Sequence, residues 1–280
     1  MSYILNGKFI EEENIHLDIR KNGSFWYGDG FFEALKWTDE KILYAQLHWE
    51  RIMESCNTLK MENPFLSLDE LSHFVEILAK QYPDKPLRIK IIIWRNSFQA
   101  YSPTNDSPEY LIIADPISEY YYPLNTSGLN LSIYTDHLKS TSALGNIKTT
   151  SSQLYVLATH YTQTLKKDDS IILNTNRNII ETSRSNFWLV KDGCLYTPPL
   201  TEGCLNGIMR KVVMMIYTKL NLTLIETAIT LEMLNQANEV FTTSAIRGIQ
   251  WVEYVDEIKF SNPLITKELS ELINSNAASY

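Results

Sequence analysis

The stretch DPISEYYYPLNTSG at residues 115–128 separates two parts of the chain that each carry regular apolar patterns. It contains two prolines, three consecutive tyrosines and a run of asparagine, threonine, serine and glycine, without helical or strand periodicity. Such a composition is typical of a connection between folded parts. We therefore predict a smaller N-terminal domain at 1–118, an interdomain linker at 119–128 and a larger C-terminal domain at 129–280.

The part before this connection combines strand-like and helix-like patterns. The pair Asn6-Gly7 lies between two short apolar runs, which predicts a tight hairpin turn. Ser67 and Glu70 have the spacing of a capping box at the start of a helix. The predicted elements are a hairpin at 3–10, helices at 43–59 and 67–79, and strands at 87–94 and 110–114.

The part after the connection also mixes helices and strands, and it contains more strands. We predict strands at 129–134, 170–173, 187–190, 222–225 and 239–243, and helices at 149–165, 207–219 and 263–274. The two kinds of element do not alternate strictly along the chain. This order favours an α+β fold over a doubly wound parallel sheet.

Composition excludes several classes of protein. The chain is 44% hydrophobic and 21% charged, which is ordinary for a globular protein, and its longest apolar runs fall short of the roughly 18 residues of a membrane helix. A net charge of −8 argues against a nucleic-acid or acidic-membrane partner. Three widely spaced cysteines and a start without a secretory pattern favour the cytoplasm. The five histidines lack metal-site spacing, so we expect no metal.

Two charged residues stand in apolar or small-residue surroundings. Lys148, in GNIKTT at 145–150, precedes a predicted helix. The helix dipole and the loss of solvation would both lower the pKa of the lysine toward that of a nucleophilic amine. A lone lysine is more often a plain surface residue. Glu181 lies between two apolar runs, where a carboxylate needs a cationic partner such as a protonated ring nitrogen.

Two further segments could hold a phosphate. The segment LNGIMR at 205–210 starts a predicted helix at Gly207, and the backbone N–H groups there form a ready anion site. The predicted strand at 239–243 ends in hydroxyl residues that could supply additional ligands. Taken alone, that second feature is better interpreted as a simple polar strand end.

Together these segments resemble the class IV aminotransferases, pyridoxal-phosphate enzymes of fold type IV that include branched-chain aminotransferase, D-amino acid aminotransferase and aminodeoxychorismate lyase. The resemblance covers nearly the whole chain. It rests on YGDGFFE at 27–33, LHWERI at 47–52, NIKTT at 146–150, IETS at 180–183 with SNF at 185–187, LYTPPL at 195–200 followed by NGIMR at 206–210, and Thr243 with RGI at 247–249. It implies a two-domain α+β fold like that of D-amino acid aminotransferase, with pyridoxal 5′-phosphate as cofactor.

The resemblance also implies roles for single residues at the cofactor. Lys148 would form the Schiff base with the cofactor and move a proton between the substrate Cα and the cofactor C4′. Glu181 would hold the pyridine nitrogen protonated. Arg51 would clamp the phosphate, although a surface ion pair with Glu50 or Glu54 is the alternative. The remaining phosphate ligands would come from Gly207, Ile208, Met209, Thr243 and Ser244.

The resemblance also implies which residues contact the substrate, namely Tyr27, Phe32, Lys90 and Tyr101. Core packing is the alternative for Tyr27 and Phe32. Lys90 and Lys36 stand where branched-chain enzymes have arginines, so carboxylate recognition is expected to differ. Two other departures concern the cofactor. The family often has a tyrosine or arginine near the ring hydroxyl where this chain has Ser152 and Gln153, and its last phosphate hydroxyl is replaced by Ala245.

The motifs favour an aminotransferase that exchanges an amino group between an amino acid and a 2-oxo acid. The alternative is aminodeoxychorismate lyase. Two segments resemble the corresponding segments of that lyase, NGIMR at 206–210 and the tripeptide Ala100-Tyr101-Ser102, but Gln99 replaces the arginine that the lyase has there. A third hypothesis is a non-catalytic protein of the same fold. We also expect a homodimer, in which Trp26, Phe31, Trp94, Phe98 and Tyr101 could supply an apolar surface, although aromatic residues at such places more often belong to the core.

Overall fold

The computed structural model describes residues 2–11 and 15–279, with side chains to residue 277. The chain folds into two compact units. The first comprises Met1–Tyr120 together with Ile147–Ser151, and the second comprises Tyr121–Asn146 together with Ser152–Tyr280.

The described chain contains seven α-helices and seventeen strands, numbered here in chain order. The helices are α1 Gly23–Tyr27, α2 Ala45–Leu59, α3 Leu68–Ala79, α4 Gln153–Leu165, α5 Ile208–Ile216, α6 Leu231–Asn235 and α7 Leu264–Ser279. The strands are β1 Ser2–Leu5, β2 Lys8–Glu11, β3 Gly30–Thr38, β4 Lys41–Ile42, β5 Leu87–Arg95, β6 Phe98–Gln99, β7 Ser102–Pro103, β8 Pro108–Pro116, β9 Leu129–Lys139, β10 Asp169–Asn174, β11 Ile179–Thr182, β12 Asn186–Lys191, β13 Cys194–Thr197, β14 Thr223–Glu226, β15 Glu239–Ser244, β16 Gly248–Val255 and β17 Ile258–Lys259.

The first unit is built on an antiparallel sheet in the order β2-β1-β8-β5-β3-β4. The predicted hairpin at its edge is confirmed, since Leu5 pairs with Lys8 and both turn residues have positive φ. Alternate residues of β3 and β5 point to one face, where α2 and α3 bury them in a core. The other residues, including Phe32 and Lys90, therefore belong to the opposite face of the sheet.

The second unit contains a larger sheet in the order β11-β10-β9-β16-β15-β12-β13-β14, with β17 beside β16. Because β11 also pairs with β12 through Glu181 and Asn186, the six strands from β11 to β12 form a closed ring. Helix α4 packs on β9 and β10, and α7 packs on β15 and β16. Glu181 and Asn186, which close the ring, are thus fixed by strand pairing.

The structure confirms most of the predicted elements and corrects one helix start. Helix α4 begins at Gln153 and not at Thr149. The residues in between pair instead with β3, since Phe32 N donates to Lys148 O and Thr150 N donates to Gly30 O, each at 2.9 Å. The predicted helix at 207–219 ends at Ile216 and continues as a short 3₁₀ turn at Tyr217–Leu220.

Among the described residues, no helix is long and apolar enough to cross a membrane.

Candidate active site

Lys148 lies in the segment Ile147–Ser151, which belongs to the first unit. Its carbonyl oxygen is the acceptor for Phe32 N, and its Nζ lies 4.6 Å from the centroid of the Phe32 ring. The side chain is half-buried. Since α4 begins five residues later, at Gln153, the expectation that Lys148 stands at a helix start is wrong, and the helix dipole does not act on its amine.

The Phe32 ring also has a second lysine beside it. Lys90 Nζ lies 5.3 Å from the same ring centroid. This neighbourhood follows from the sheet, because Phe32 pairs with Ile92 on β5, and Lys90 lies two residues away on the same face. The structure therefore brings together three of the predicted residues, Phe32, Lys90 and Lys148, with both amines beside the Phe32 ring.

Arg51 has a partner that the sequence analysis did not foresee. Its Nε donates to Glu33 Oε2 at 3.0 Å, and its Nη2 donates to Glu33 Oε1. His48 Nδ1 lies 2.8 Å from the same Oε1, and all three side chains are buried. The alternative interpretation of Arg51, a surface ion pair with Glu50 or Glu54, is wrong because the guanidinium faces β3 rather than solvent.

The surroundings of this ion pair shift the pKa values of Glu33 and His48. Burial alone would raise the pKa of Glu33, but the charge of Arg51 and the hydrogen bonds from His48 and Arg51 outweigh it and lower that pKa to about 2. Burial lowers the pKa of His48 despite the neighbouring carboxylate. The group is therefore a neutral imidazole beside an ionised glutamate–arginine pair at neutral pH.

Tyr27 and Tyr101 form a separate aromatic group. Their ring centroids lie 5.2 Å apart, and the ring of Phe98 lies 5.3 Å from that of Tyr27. Tyr101 is 85% exposed, in the hairpin of β6 and β7, and Tyr27 is also exposed. Core packing is therefore excluded for Tyr27, whereas Phe32 is half-buried.

The expectation of a place on a dimer surface is wrong for two aromatic residues, Phe31 and Trp94. Phe31 and Trp94 are only 1% and 2% exposed because they point into the two buried clusters on either side of the first sheet. The sequence could not separate them from their neighbours, since strand residues of both faces are aromatic here.

Glu181 is the central charged residue of the second unit, and it is 3% exposed. Its Oε1 accepts hydrogen bonds from Lys139 Nζ at 2.6 Å and from the Tyr155 hydroxyl at 2.7 Å. Its Oε2 accepts a hydrogen bond from Leu205 N at 2.8 Å. Three donors, one of them cationic, therefore satisfy both oxygens of this buried carboxylate.

Asn186 connects Glu181 with the candidate phosphate segments. It pairs with Glu181 on one side and with Thr243 on the other. Its Nδ2 donates to Leu205 O at 2.8 Å, and a Cβ on Gly207 would lie only 1.8 Å from its Oδ1. Glycine at 207 is thus needed for the helix start to approach this asparagine.

The start of α5 has the features expected of an anion site. Gly207 is the N-cap, no side chain caps the helix, and Ile208 and Met209 are its first residues. The first N–H groups of an α-helix have no acceptor within the helix. The backbone at this position can therefore bind an anionic group.

The hydroxyl residues at the end of β15 are already engaged. Thr243 is buried, and its Oγ1 accepts a hydrogen bond from Trp188 Nε1 at 3.0 Å. Ser244 Oγ accepts one from Arg247 N at 3.3 Å. Each hydroxyl keeps a proton that it can donate, so both remain candidates for additional phosphate contacts.

Sequence reasoning missed Lys139, Tyr155, Glu33 and His48. Lys139 ends a strand that was predicted to stop at Tyr134. Tyr155 was predicted neither as a cofactor contact nor as a substrate contact. One signal was available for Glu33 and His48, since both lie inside the family-like segments at 27–33 and 47–52. No signal in a single sequence pairs Lys139 with Glu181, because the two are joined only by folding.

The comparison with family models identifies the chain. The model of amino-transferase class IV matches residues 30–255. The chain therefore belongs to the class IV aminotransferases, a family of pyridoxal-phosphate-dependent enzymes, and the resemblance seen in the sequence is confirmed.

Individual relatives span two reactions. The chain is similar to the D-alanine aminotransferase of Staphylococcus haemolyticus, with 26% identity over 285 residues that cover 96% of this chain and 95% of the relative. It is similar to the aminodeoxychorismate lyase of Vibrio harveyi, with 26% identity over 258 residues that cover 90% of this chain and 94% of the relative.

A solved structure with the same fold is the branched-chain aminotransferase of Thermoproteus uzoniensis with norvaline. Its TM-score is 0.90 at 24% identity, with 100% of this chain and 95% of that chain covered. The predicted α+β fold of type IV is thereby confirmed.

Proposed function

We propose that the chain is a pyridoxal-phosphate-dependent aminotransferase that moves an amino group between an amino acid and a 2-oxo acid. The observation that carries this proposal is Lys148, whose amine is held against the Phe32 ring by backbone pairing with β3. An amine in a fixed, half-buried position is what bonding to the cofactor aldehyde requires. Membership in the class IV family supports the same reaction class.

The residues present fit the cofactor. Glu181 is a buried carboxylate held by three donors, which suits a partner of a pyridine nitrogen. The start of α5 offers uncapped N–H groups at Ile208 and Met209 for a phosphate. Bound there, pyridoxal phosphate would supply the electron-withdrawing ring that stabilises negative charge at the substrate α-carbon.

The chain's own residues would divide the remaining work. Lys148 Nζ would bond the cofactor aldehyde and, once released by substrate, hold the proton taken from the substrate Cα. Glu181 would accept a hydrogen bond from the ring nitrogen. Gly207 would let α5 approach, and Thr243 and Ser244 would donate hydroxyl protons to the phosphate.

Arg51 is proposed as a further phosphate ligand, with one restriction. Glu33 already binds the guanidinium through Nε and Nη2, so a phosphate would have to be bound alongside this ion pair. Glu33 then serves to orient the arginine.

The substrate would be met from the opposite face of the first sheet. Phe32 and Lys90 are proposed to contact it there, since they lie beside the Lys148 amine. Tyr27 and Tyr101 are proposed as outer contacts because both are exposed. An ammonium at Lys90 can neutralise a carboxylate but cannot grip it bidentately as an arginine does.

A lyase that releases pyruvate from aminodeoxychorismate is the second candidate. It is supported by NGIMR at 206–210, by the exposed Tyr101 of the tripeptide at 100–102 and by the similarity to the Vibrio harveyi lyase. Against it, Gln99 replaces an arginine. The same lysine and carboxylate would serve either reaction, so only substrates separate the two.

We further propose that the protein works as a homodimer in the cytoplasm. Phe25, Trp26 and Tyr101 are exposed aromatic side chains that a second copy could cover. The three cysteines are free thiols, and two of them are buried, which suits a reducing compartment.

The test is a titration of the cofactor-loaded protein with L- and D-amino acids, followed by visible absorption and by assay of the released 2-oxo acid. A transaminase loses its visible band with one amino acid and releases the matching 2-oxo acid. A band that no amino acid moves, combined with pyruvate release from aminodeoxychorismate, would instead establish the lyase. A protein that stays colourless with added cofactor would contradict both. Lys148→Ala should remove the effect, and Lys80→Ala, an exposed lysine at the end of α3, should keep it.

A further inference from the structure

Lys139 holds the buried carboxylate of Glu181. Its Nζ donates to Glu181 Oε1 at 2.6 Å, and its side chain is 11% exposed. The same Nζ donates to Gly145 O at 2.8 Å and lies 5.4 Å from the centroid of the Tyr155 ring. A lysine this well enclosed is fixed by its partners and cannot extend into solvent.

The other titratable groups near Glu181 stay neutral. Burial, followed by the charge of Glu181, raises the pKa of Tyr155 well above its usual value, so its hydroxyl donates to the carboxylate without losing its proton. Burial raises the pKa of Cys204 to about 12, which keeps the thiol protonated. Lys139 is the charged side chain that is hydrogen-bonded to Glu181.

This ion pair decides where a shared proton resides. A buried carboxylate without a cation is a strong base, because burial disfavours its charged form. Such a base would take the proton of a pyridine nitrogen opposite it, and the ring would become neutral. A carboxylate that is already stabilised by an ammonium, a hydroxyl and a backbone N–H is a weaker base. It can then accept a hydrogen bond while the proton stays on the ring.

We infer that Lys139 is a positioning residue whose ammonium holds the Glu181 carboxylate as a hydrogen-bond acceptor and thereby leaves the shared proton on the ring nitrogen of the cofactor. The inference rests on the proposed function. It also explains the second hydrogen bond of Lys139, since Gly145 lies three residues before Lys148 in the chain. Lys139 thus fixes the carboxylate and the backbone that leads to the reactive lysine.

The experiment measures the ring nitrogen directly. Wild type, Lys139→Met and Lys139→Arg are loaded with pyridoxal phosphate labelled with ¹⁵N in the ring, and the nitrogen resonance is recorded at neutral pH. The wild type should show a protonated ring nitrogen. Lys139→Met should lower the ratio of protonated to neutral ring about tenfold or more, and Lys139→Arg should restore it because the cation is kept. Lys167→Met is the matched control, since Lys167 bonds Asn130 and not Glu181.

Two precautions keep the outcomes distinct. If Lys139→Met does not fold, Lys139→Gln replaces it, because a neutral amide fills the site and still donates a hydrogen bond. Unchanged ring protonation in either neutral variant would overturn the inference while leaving the proposed function intact. A wild type that does not bind the cofactor through Lys148 would overturn the proposed function first.

Discussion

Glu33 illustrates how one buried charge depends on its neighbours. It is enclosed by Arg51 and His48, and its pKa is lowered to about 2 from an ordinary value of 4.5. Replacement by glutamine would leave the Arg51 guanidinium buried without its anion. We expect Glu33→Gln to lower the free energy of unfolding by about 3–5 kcal/mol at pH 7, measured by urea denaturation.

The same contribution should depend on pH. Because the pKa of Glu33 is lower in the folded protein, the unfolded chain binds its proton first, and the stabilisation is full above about pH 4.5 and is lost toward pH 2. The difference between wild type and Glu33→Gln should therefore shrink over this range. Glu50→Gln, at an exposed position of α2, should change stability by less than about 0.5 kcal/mol at any pH. Equal effects of the two variants would contradict the account.

Lys36 presents the opposite case. It is only 1% exposed on β3, and burial, partly opposed by the charge of Glu119, lowers its pKa to about 8. Below pH 8 the folded protein must keep an ammonium there at a cost. Lys36→Met should therefore raise the free energy of unfolding at pH 7 by on the order of 2 kcal/mol.

The sign of the Lys36 effect can be checked with pH. Between about pH 8 and 10.5 the unfolded chain holds this proton and the folded protein does not, so the wild type gains stability as pH rises. The advantage of Lys36→Met should fade across this interval in chemical denaturation. An advantage that does not depend on pH would mean that packing, and not the charge, is responsible.

At this scale the sequence indicated the candidates but not their partners. Lys148 and Glu181 stand in recognisable motifs, and a carboxylate between apolar runs was expected to need a cation. That cation is Lys139, whose pairing with Glu181 is created by the parallel arrangement of β9 and β10 and the hairpin of β11. Long-range strand order of this kind leaves no local pattern.

Helix α3 shows how much a local signal can establish. The capping pattern predicted its start, and Ser67 Oγ does accept a hydrogen bond from Glu70 N at 3.2 Å. The Glu70 carboxylate in turn accepts a hydrogen bond from Leu66 N at 2.6 Å. In the usual capping box the donor is the N–H of the N-cap residue, which is Ser67 here. Ser67→Ala should cost about 1 kcal/mol of stability. Ser72→Ala, in the middle of the same helix, should cost nothing measurable in the same thermal or urea unfolding experiment.

Strand β3 was missed because it buries two charged residues. It lies within its sheet, with a strand paired on either side, and Glu33 and Lys36 are both buried. Charged residues that are buried remove the alternation of apolar and polar residues that marks a half-exposed strand. By contrast, β5 was predicted from its alternating apolar residues, of which Ile89, Ile91 and Ile93 point to the core with α2 and α3.

For the whole molecule, the proposed homodimer makes a measurable prediction. Sedimentation equilibrium should give twice the chain mass of 32.4 kDa. Trp26 is one of the exposed aromatic residues proposed for the dimer surface. Trp26→Glu should raise the dimer dissociation constant at least about tenfold, since it places a charge on a surface that must lose water. Leu66→Glu, at a position that is 92% exposed, is the control and should leave the dimer unchanged. A monomeric wild type would contradict the proposal.

Lys148 is proposed as the amine that bonds the cofactor. The protein is loaded with pyridoxal phosphate, reduced with borohydride to fix the bond, digested and analysed by peptide mass spectrometry. The account predicts the label on Lys148. A label on Lys90, the other amine beside the Phe32 ring, or no label on either lysine, would contradict it.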